Sequence, residues 1–418
     1  MNVEIITIGD ELLIGQVIDT NSAWMGEQLE KEGFRVVRKT AVGDVEEAIW
    51  EALDSALRRS PVVLLTGGIG PTKDDITRAT LCKYFGSELH FSEVVYEDIQ
   101  RIFAHAGRPM NELTRLQAMV PDRCTLIRNL AGTAPCTWFE REGRVVASMP
   151  GVPHEMQWLM SHELIPRLKA AFPQDVFIRH HTVWVSGYGE SALAMELEAF
   201  EAGLPPCVKL AYLPQPGLVR LRLSAYTESA EEGAQAIARE GEKLAGLLSG
   251  HIISEEDKAP EVLIGELLLA QGLTMATAES CTGGRIAGMI TSVPGSSRYF
   301  AGGVVAYSNE VKQRALGVSP RDLEAYGAVS QVVVEQMAVG VLAALGCDCA
   351  VATSGVAGPG GGTPDKPVGT VWIAAACQDK LVSASYRFSS LREMNIARAS
   401  NTALLMLLGL LAEAGGSQ

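Results

Sequence analysis

The sequence lacks the patterns that would place the chain outside the cell or in a membrane. Its eight cysteines form no C-x-x-C pair, and no basic and apolar leader precedes the first strand-like run, Val3–Ile8. The longest apolar run, Leu404–Leu411, is far shorter than the roughly 20 residues that a helix needs to cross a bilayer. We therefore expect reduced thiols, a cytoplasmic protein without membrane contact, and a buried C-terminal helix.

Positive charge is also scarce. The chain has 35 Lys and Arg against 49 Asp and Glu, which gives a formal net charge of -14 at pH 7. Such a field repels polyanions, so nucleic acid is not an expected partner. A small anionic substrate is still compatible with it, because a few N–H groups or arginines can hold one against the overall charge.

Three segments of the 418 residues differ in pattern, in line with about 150 residues per domain. Segments 1–170 and 256–418 alternate strand-like and helical runs, which predicts α/β domains with parallel sheets covered on both faces. Segment 171–255 alternates apolar and polar residues, which indicates a small α+β domain with half-buried antiparallel strands. The polar stretch Ser254–Lys258, which is followed by Pro260, is predicted to be the linker between the middle and the last domain.

The predicted elements of the first segment are strands Val3–Ile8, Phe34–Val37 and Val62–Thr66 and helices Asn21–Lys31, Glu46–Leu57 and Thr72–Tyr84. Those of the middle segment are strands Ile178–Val185 and Leu218–Ala225 and helices Ser191–Phe200 and Ala230–Leu248. Those of the last segment are strands Leu273–Thr277, Gly303–Tyr307, Val351–Ser354, Gly369–Ala375 and Leu381–Phe388 and a helix from Arg392 to Leu411.

A serine flanked by glycines lies between a strand and a helix of the third segment, where residues 278–284 read AESCTGG. Glycines let backbone N–H groups approach a ligand, and a helix N-terminus favours negative charge, so this turn suits an oxyanion or a phosphate beside Ser280. A helix cap made by the serine or threonine fits the motif equally well. The candidate substrate-binding residues of the turn are Cys281, Thr282, Gly283 and Gly284.

Histidine is missing from the third segment, because all seven histidines lie at or before His251. A Ser–His–Asp triad within that segment is therefore excluded, and a nucleophilic Ser280 needs a lysine, a tyrosine or a carboxylate as its base. Lys312 is the best placed of the segment's four lysines, because it follows a strand end. To act near neutral pH, its pKa must fall by roughly three units, about 4 kcal/mol of burial or strain. Cys281 is the rival nucleophile.

A second glycine-rich loop, residues 354–362, follows another apolar strand of the third segment. Three polar loops at apparent strand ends of one domain indicate a site better than any single loop does. Arg392 and Arg398, near the start of the last helix, are candidates for holding a phosphate. The candidate substrate-binding residues of the glycine-rich loop are Ser354, Gly355 and Gly358.

The third segment resembles a known family through five motifs in order: AESCTGG (278–284), GxVxYSNEVK (303–312), GAVS (327–330), SGVAGPGGG (354–362) and KPVGTVW (366–372). They resemble the CinA C-terminal domain, which in that family is a nicotinamide mononucleotide deamidase. The resemblance implies that Ser280 is the nucleophile, that Lys312 is its partner and that Tyr307 shapes the catalytic site, without a cofactor. The family often has Gly-Asp-Arg before its last helix, whereas this chain has Ser390-Leu391-Arg392.

A further glycine loop, residues 66–75 with the sequence TGGIGPTKDD, follows a strand of the first segment. Its N–H groups can cradle a phosphate, although the Gly-Lys-Ser/Thr ending of a P-loop is absent. The paired Asp74 and Asp75 could hold a divalent cation beside a pyrophosphate, or could simply be acidic residues at a helix start. The phosphate-binding candidates are Thr66, Gly67, Gly68 and Gly70.

The first segment resembles the molybdopterin-binding fold that molybdenum-cofactor adenylyltransferases share with the CinA N-terminal domain. The motifs are GDEL (9–12), DTN (19–21), TGGIGPTKDDIT (66–77) and PGVPHEM (150–156). In CinA proteins this domain is associated with metal-dependent ADP-ribose pyrophosphatase activity. The resemblance therefore implies a divalent metal ion of unassigned identity, with K⁺ as a further candidate, and Asp44 and Asp75 as its carboxylates.

The middle segment corresponds to the KH-like domain of the same family. It contains no G-x-x-G loop, and acidic residues outnumber basic ones between residues 175 and 250, so RNA binding is not expected. The expected protein is a homodimeric, bifunctional hydrolase of nicotinamide mononucleotide and ADP-ribose. An adenylyltransferase or molybdopterin-binding protein, and a non-enzymatic scaffold in DNA uptake or repair, are the alternatives; the charge and the intact Ser280 and Lys312 weigh against the scaffold.

Overall fold

The computed structural model describes residues 1–72, 75–105, 107, 109–173 and 176–415. Their contacts divide the chain into two compact units. One consists of Met1–Arg179 with Ala225–Gln235, and the other of His180–Ser224 with the chain from Ala236 onward.

A six-stranded sheet forms the centre of the N-terminal part, in the order β2-β1-β3-β8-β7-β6. The first four strands run parallel to one another. β7 pairs antiparallel with β8 on one side and with β6 on the other. The strands are β1 Asn2–Ile8, β2 Arg35–Val42, β3 Val62–Thr66, β4 Leu89–Phe91, β5 Met119–Pro121, β6 Thr125–Ile127, β7 Cys136–Arg141 and β8 Arg144–Met149, of which β4 and β5 form a separate pair. The helices are α1 Asp10–Leu13, α2 Thr20–Lys31, α3 Glu46–Arg59, α4 Thr77–Phe85, α5 Glu93–His105, α6 Glu112–Leu116, α7 Pro153–Leu159 and α8 Ile165–Ala171, with a π turn at Met160–Leu164.

Burial on both faces explains why β3 is apolar from Val62 to Leu65. Val62 and Leu64 pack into the core under α2 and α7, whereas Val63 and Leu65 pack under α3 and α4. This is the pattern of a parallel strand with helices on both sides, and it confirms the predicted α/β class. The carboxyl end of β3 therefore delivers the glycine loop to one edge of the sheet.

Three features of this domain differ from the prediction. The helix expected over Thr72–Tyr84 begins only at Thr77, because the glycine loop extends further along the chain. The antiparallel edge was not expected; β7 turns into β8 through Glu142 and Gly143, whose φ values of 55° and 70° are those of a tight hairpin turn. The strand predicted over Phe34–Val37 is longer and lies at Arg35–Val42.

The middle segment forms a four-stranded sheet in the order β10-β11-β9-β12. Its elements are β9 Phe177–Ser186, α9 Glu190–Glu196, α10 Glu198–Ala202, β10 Val208–Gln215, β11 Leu218–Thr227, α11 Ala230–Leu247 and β12 Ile252–Ser254. The prediction missed β10 and β12 and joined α9 to α10. Ser254, expected at the start of a linker, ends β12 and pairs with Trp184.

The C-terminal part contains a five-stranded sheet in the order β14-β13-β15-β16-β17. Its first three strands run parallel to one another. β16 pairs antiparallel with β15 on one side and with β17 on the other. The strands are β13 Met275–Glu279, β14 Phe300–Val305, β15 Cys349–Gly355, β16 Thr370–Cys377 and β17 Lys380–Arg387. The helices are α12 Pro260–Gln271, α13 Arg285–Thr291, α14 Asn309–Leu316, α15 Pro320–Tyr326, α16 Gln331–Leu345 and α17 Arg392–Gly415, with a 3-10 turn at Ser296–Arg298.

Alternation along β13 separates the two cores of this sheet. Met275 packs with α12, α13 and α17, whereas Ala276 and Ala278 pack with α16 and its neighbours. The small alanines let α16 approach the sheet closely. Both faces are covered, as the strand–helix alternation predicted.

The last helix is the one helix of the described chain that is long and apolar enough to cross a membrane by length and composition. Its residues Leu404, Leu407 and Leu411 are fully buried in the core beneath the C-terminal sheet. This packing is that of a core helix and confirms the buried C-terminal helix expected from the sequence.

Candidate active site

Ser280 lies at the carboxyl end of β13, in the centre of the parallel strands. Its backbone N–H donates to the Thr353 carbonyl of β15 at 3.0 Å, and the preceding carbonyl of Glu279 accepts from Ala306 N at 2.8 Å. All five residues of β13 are buried, and Ser280 itself is 9% exposed. Two neighbouring strand ends therefore fix the backbone that carries the hydroxyl.

Lys312 reaches Ser280 from α14. The helix begins after Ser308, whose Oγ caps it by accepting from Val311 N at 3.2 Å. The amine lies inside the protein, because Lys312 is only 1% exposed, and its Nζ is 3.0 Å from Ser280 Oγ. Nζ also donates to the Ala306 carbonyl at 2.6 Å. The structure thus brings together the two residues that the sequence singled out.

The surroundings of Lys312 disfavour the charged form of its amine. Burial lowers the pKa of Lys312 from its ordinary value of 10.5, because the charged form loses hydration. Among the residues that the structure describes, no carboxylate forms an ion pair with this amine. A lysine without an anionic partner is the kind that can act as a base.

The turn after Ser280 leaves only some of its N–H groups free. The buried Glu279 carboxylate accepts the N–H groups of Gly284, Ile286 and Ala287 at 3.0, 3.1 and 2.8 Å, and Gly283 N donates to the Ser280 carbonyl. Gly283 and Gly284 supply backbone with φ values of 63° and 95°. In the described part of the chain, the N–H groups of Cys281 and Thr282 have no acceptor in another residue. These two groups are therefore the donors open to an oxyanion, and the helix N-terminus is less open to a phosphate than its sequence suggested.

Cys281 has a thiol unsuited to nucleophilic attack. The residue is 6% exposed, and burial raises the pKa of Cys281 to about 12. The thiol is therefore protonated at neutral pH, and the thiolate is the reactive form of cysteine. The geometry favours Ser280 over this rival.

The second glycine loop has mainly a shaping role. Ser354 Oγ donates to the Ala328 carbonyl at 2.7 Å, which ties the loop to the GAVS turn. A Cβ on Gly355 would lie 2.8 Å from the Thr370 carbonyl, and one on Gly358 would lie 2.5 Å from Val368. Only glycine fits at either position, so these residues give the loop its path.

Arg392 links the loop to the end of β14. Its Nη1 donates to the Gly358 carbonyl at 2.8 Å, and its Nη2 donates to the Tyr307 hydroxyl at 3.1 Å. The Tyr307 side chain is on the surface, with 61% of the residue exposed. A guanidinium has five N–H donors, so Arg392 keeps several for an anion at this edge.

Arg398 lies further along α17 and does not join this group. No hydrogen bond of the described residues connects it to Ser280, Lys312 or Arg392, and its Nε is buried without a hydrogen-bond partner. Arg392 is therefore the arginine that hydrogen bonds connect to the loops of this site, and the role of Arg398 stays a prediction.

A separate cavity of about 580 Å³ lies in the N-terminal domain, beside the first glycine loop. Its lining includes Thr66–Gly70, Asp75, Asn21 and Glu155. Gly67 has a φ of 109°, and a Cβ there would be 2.1 Å from the Ile8 carbonyl; Gly68 has a φ of 64°. The loop can follow this path only because these positions are glycine.

The donors of this loop divide into occupied and open groups. Thr66 Oγ1 donates to the Pro150 carbonyl at 2.8 Å, and Gly67 N donates to the Met149 carbonyl at 3.2 Å. Within the described ranges, the N–H groups of residues 68–70 have no acceptor. Thr66 and Gly67 therefore hold the loop in place, and Gly68 and Gly70 offer donors to a ligand.

Asp44 and Asp75 both lie beside the loop, since a Cβ on Gly68 would be 3.2 Å from Asp44 Oδ1 and one on Gly70 would be 2.6 Å from Asp75 Oδ2. Asp75 Oδ2 accepts from Thr72 N at 2.8 Å, and Asp44 Oδ2 accepts from Asp10 N at 3.1 Å. The pKa of Asp44 is raised, first by burial and then by the nearby carboxylates of Asp10, Glu11 and Asp75. The described residues contain no group of three or more His, Cys, Asp or Glu side chains arranged to hold a metal ion. Asp74, the other half of the predicted pair, lies outside the described residues.

Four residues of these sites received no role from the sequence. Glu279 is buried against the turn after Ser280, and Asn395, fully buried, donates through Nδ2 to the Ala357 carbonyl at 2.9 Å. In the N-terminal cavity, Asn21 donates to the Gly151 carbonyl at 2.8 Å, and burial raises the pKa of Glu155. Three of the four lie in quoted motifs, but only the fold shows which backbone groups they contact.

Three family models match consecutive parts of the chain. They are described as a probable molybdopterin binding domain over residues 4–170, a damage-inducible protein CinA KH domain over 180–253, and a CinA C-terminal domain over 257–411. The matches confirm the resemblance and the fold class that the motifs indicated.

Curated relatives and solved structures carry the same names. A CinA-like protein of Cytophaga hutchinsonii is 43% identical over 405 residues, which are 97% of this chain and 96% of that protein. One of Flavobacterium psychrophilum is 43% identical over 409 residues, 97% and 98% of the two chains. The competence/damage inducible protein CihA from Agrobacterium tumefaciens has 39% identity, with a TM-score of 0.35 over 36% of this chain and 94% of its own. The two full-length matches, together with the three domains in order, show that the chain belongs to the family of CinA-like proteins.

Proposed function

We propose that the C-terminal domain hydrolyses the carboxamide of nicotinamide mononucleotide and releases nicotinate mononucleotide and ammonia. The observation that carries the proposal is the 3.0 Å approach of Ser280 Oγ to the amine of a buried lysine without a carboxylate partner. A serine with such a base is suited to acyl transfer from an amide. The family resemblance of the motifs supports this substrate.

The mechanism begins with proton transfer from Ser280 to the neutral Lys312. As Oγ bonds to the carboxamide carbon, the negative charge on the carbonyl oxygen is stabilised by the N–H groups of Cys281 and Thr282. Lys312 then returns the proton to the leaving nitrogen, which departs as ammonia. Water, deprotonated by the same amine, attacks the acyl-enzyme, and the carboxylate leaves Ser280 as the proton returns to Oγ.

We propose that Arg392, at the outer edge of the site, orients the substrate. Arg392 combines a fixed position, held by Gly358 and Tyr307, with N–H donors that suit a phosphate. The Glu279 carboxylate occupies the start of α13, so a phosphate is better held by Arg392 than by that helix. The substrate would therefore lie with its carboxamide toward Ser280 and its phosphate toward α17.

For the N-terminal domain we propose hydrolysis of ADP-ribose to AMP and ribose 5-phosphate. The cavity of about 580 Å³ lies in the size range of nucleotide-sized ligand sites. The open N–H groups of residues 68–70 suit a pyrophosphate. Burial, and after it repulsion from neighbouring carboxylates, raises the pKa of Asp44, and a divalent cation would relieve that repulsion. Asp44 and Asp75 would hold that ion, with K⁺ as a further candidate, and it would polarise the bridging phosphate.

Other assignments remain distinct candidates for this domain. A molybdopterin-binding or adenylyltransferase role is favoured by the name of the matching family model, and a non-enzymatic scaffold requires neither site. We further propose a cytoplasmic homodimer that acts on small nucleotides and contacts neither nucleic acid nor membrane.

Ser280→Ala should lower kcat for ammonia release from nicotinamide mononucleotide by roughly 10³-fold or more, because the attacking oxygen is lost. Lys312→Arg should fail similarly, since a guanidinium stays protonated near neutral pH. The matched control is Lys380→Met, because Lys380 pairs with Glu413 on the surface of the same domain. Steady-state ammonia release measures all three. Full activity of Ser280→Ala would refute the serine mechanism.

Asp75→Asn should remove most AMP release from ADP-ribose and leave ammonia release from nicotinamide mononucleotide intact. The amide can still accept the Thr72 N–H, so the loss would come from the missing charge. Asp122→Asn, at a carboxylate that accepts from Ser87 and Glu88, is the control. An equal loss of both activities would point to a folding defect or to coupled domains instead.

Cys281→Ala should keep ammonia release within about threefold of wild type, because a thiol protonated up to about pH 12 takes no part in the attack. For the same reason, iodoacetamide at pH 7.5 should inactivate the enzyme far more slowly than it alkylates free cysteine. The assignment of the nucleophile would be wrong if Cys281→Ala were inactive while Ser280→Ala retained activity.

A further inference from the structure

Glu279 is a fully buried carboxylate next to the proposed nucleophile. It is 0% exposed, and Oε2 accepts from Gly284 N at 3.0 Å and Ile286 N at 3.1 Å, while Oε1 accepts from Ala287 N at 2.8 Å. These are the N–H groups at the start of α13. Three backbone N–H donors thus satisfy the buried carboxylate, because the hydrogen bonds replace its lost hydration.

The bond from Gly284 N to Glu279 joins the end of the five-residue turn Ser280–Gly284 to the residue that precedes the turn. The turn's two ends are fixed, one by Ser280 N on the Thr353 carbonyl and the other by Gly284 N on Glu279. Between them, the N–H groups of Cys281 and Thr282 have no acceptor in another described residue, although both residues are buried. Both N–H groups therefore donate to no other described residue, on a turn whose two ends are fixed.

The position of these two donors is what acyl transfer requires. They follow the nucleophile directly in the chain, so an oxygen bonded to the carbon attacked by Ser280 would come close to them. Donors fixed before the reaction stabilise an oxyanion without a cost of reorganisation. The strand end and Glu279 are the groups that fix them.

We propose that Glu279 is a positioning residue, which keeps the turn after Ser280 in the shape that presents the N–H groups of Cys281 and Thr282 to the transition state. The proposal rests on the proposed amidase function of the same site. Glu279 does not touch the substrate; it acts through the backbone. In the described residues it also forms no ion pair with Lys312, since its oxygens are taken by the amides, and so it leaves that amine free to be neutral.

A helix cap alone would make a different prediction. A cap contributes to the stability of α13, and its loss lowers the melting temperature without changing the rate of the molecules that remain folded. A positioning residue changes kcat and leaves KM nearly unchanged, because the donors bind the transition state more tightly than the ground state. The split between kcat and KM therefore separates the two roles.

The test compares Glu279→Gln with Glu279→Asp in the full-length protein. Glutamine keeps the volume but places an NH₂ against a backbone N–H, and aspartate keeps the charge but is one methylene too short. With nicotinamide mononucleotide, Glu279→Gln should lower kcat by roughly 10²-fold, the loss typical of one oxyanion donor, with KM within about threefold. Glu279→Asp should lie between it and wild type. Asp348→Asn is the matched control, because Asp348 accepts from Thr274 N at the opposite end of β13.

A second readout does not depend on the substrate. Phenylmethylsulfonyl fluoride reacts with an activated serine: the Oγ–S bond forms, the S–F bond breaks, and fluoride and the serine proton leave. Mass spectrometry of Ser280 should show labelling slowed by more than tenfold in Glu279→Gln and unchanged in Asp348→Asn. If wild type is labelled but releases no ammonia, the substrate assignment fails and the labelling rates still decide the role of Glu279.

Unchanged kcat and labelling in folded Glu279→Gln, with only a lower melting temperature, would overturn the proposal. A failure of both Glu279 variants to fold would also overturn it, since the residue would then be a structural cap. A rise in KM at constant kcat would contradict it as well, because the contact would then serve ground-state binding.

Discussion

Burial of the Lys312 amine against Ser280, without a carboxylate to pair with, is the interaction on which the C-terminal site depends. A lysine in water is charged at neutral pH and cannot accept a proton. Each unit by which burial lowers its pKa costs about 1.4 kcal/mol of differential interaction, and the fold must supply it. The Ala306 carbonyl holds the amine in place, and only 1% of Lys312 is exposed.

The scaffold provides this environment through three adjacent parallel strand ends. β13 carries Ser280, β15 supplies the carbonyl that holds its N–H, and the chain after β14 leads into the helix that carries Lys312. The small residues Ala276 and Ala278 let the helices pack closely on this side of the sheet. The parallel strands of the N-terminal domain lead into a glycine loop instead, and residues 66–70 of that loop line a cavity of about 580 Å³. The carboxyl ends of parallel strands thus carry the candidate site in both α/β domains.

The sequence predicted much of this from particular residues. The absence of histidine after His251 excluded the usual triad and left Lys312 as the candidate base, which lies against Ser280 in the structure. The sequence did not show the antiparallel edge strands of the N-terminal sheet or the first-turn contacts of Glu279, because both depend on tertiary pairing and not on local pattern. The role of Arg398 stays a prediction: it follows Arg392 on the same helix, but proximity in sequence does not place two side chains on the same face of a helix.

The most direct measurement is a pH titration of the Lys312 amine itself. In protein labelled with ¹³C-lysine, the Lys312 Cε resonance can be assigned by its absence in Lys312→Met. Burial predicts a midpoint below 10.5, and kcat/KM for nicotinamide mononucleotide should fall as the pH drops through that midpoint, because the protonated amine cannot accept the serine proton. A midpoint at or above 10.5, or a kcat/KM that ignores the titration, would contradict a neutral lysine base.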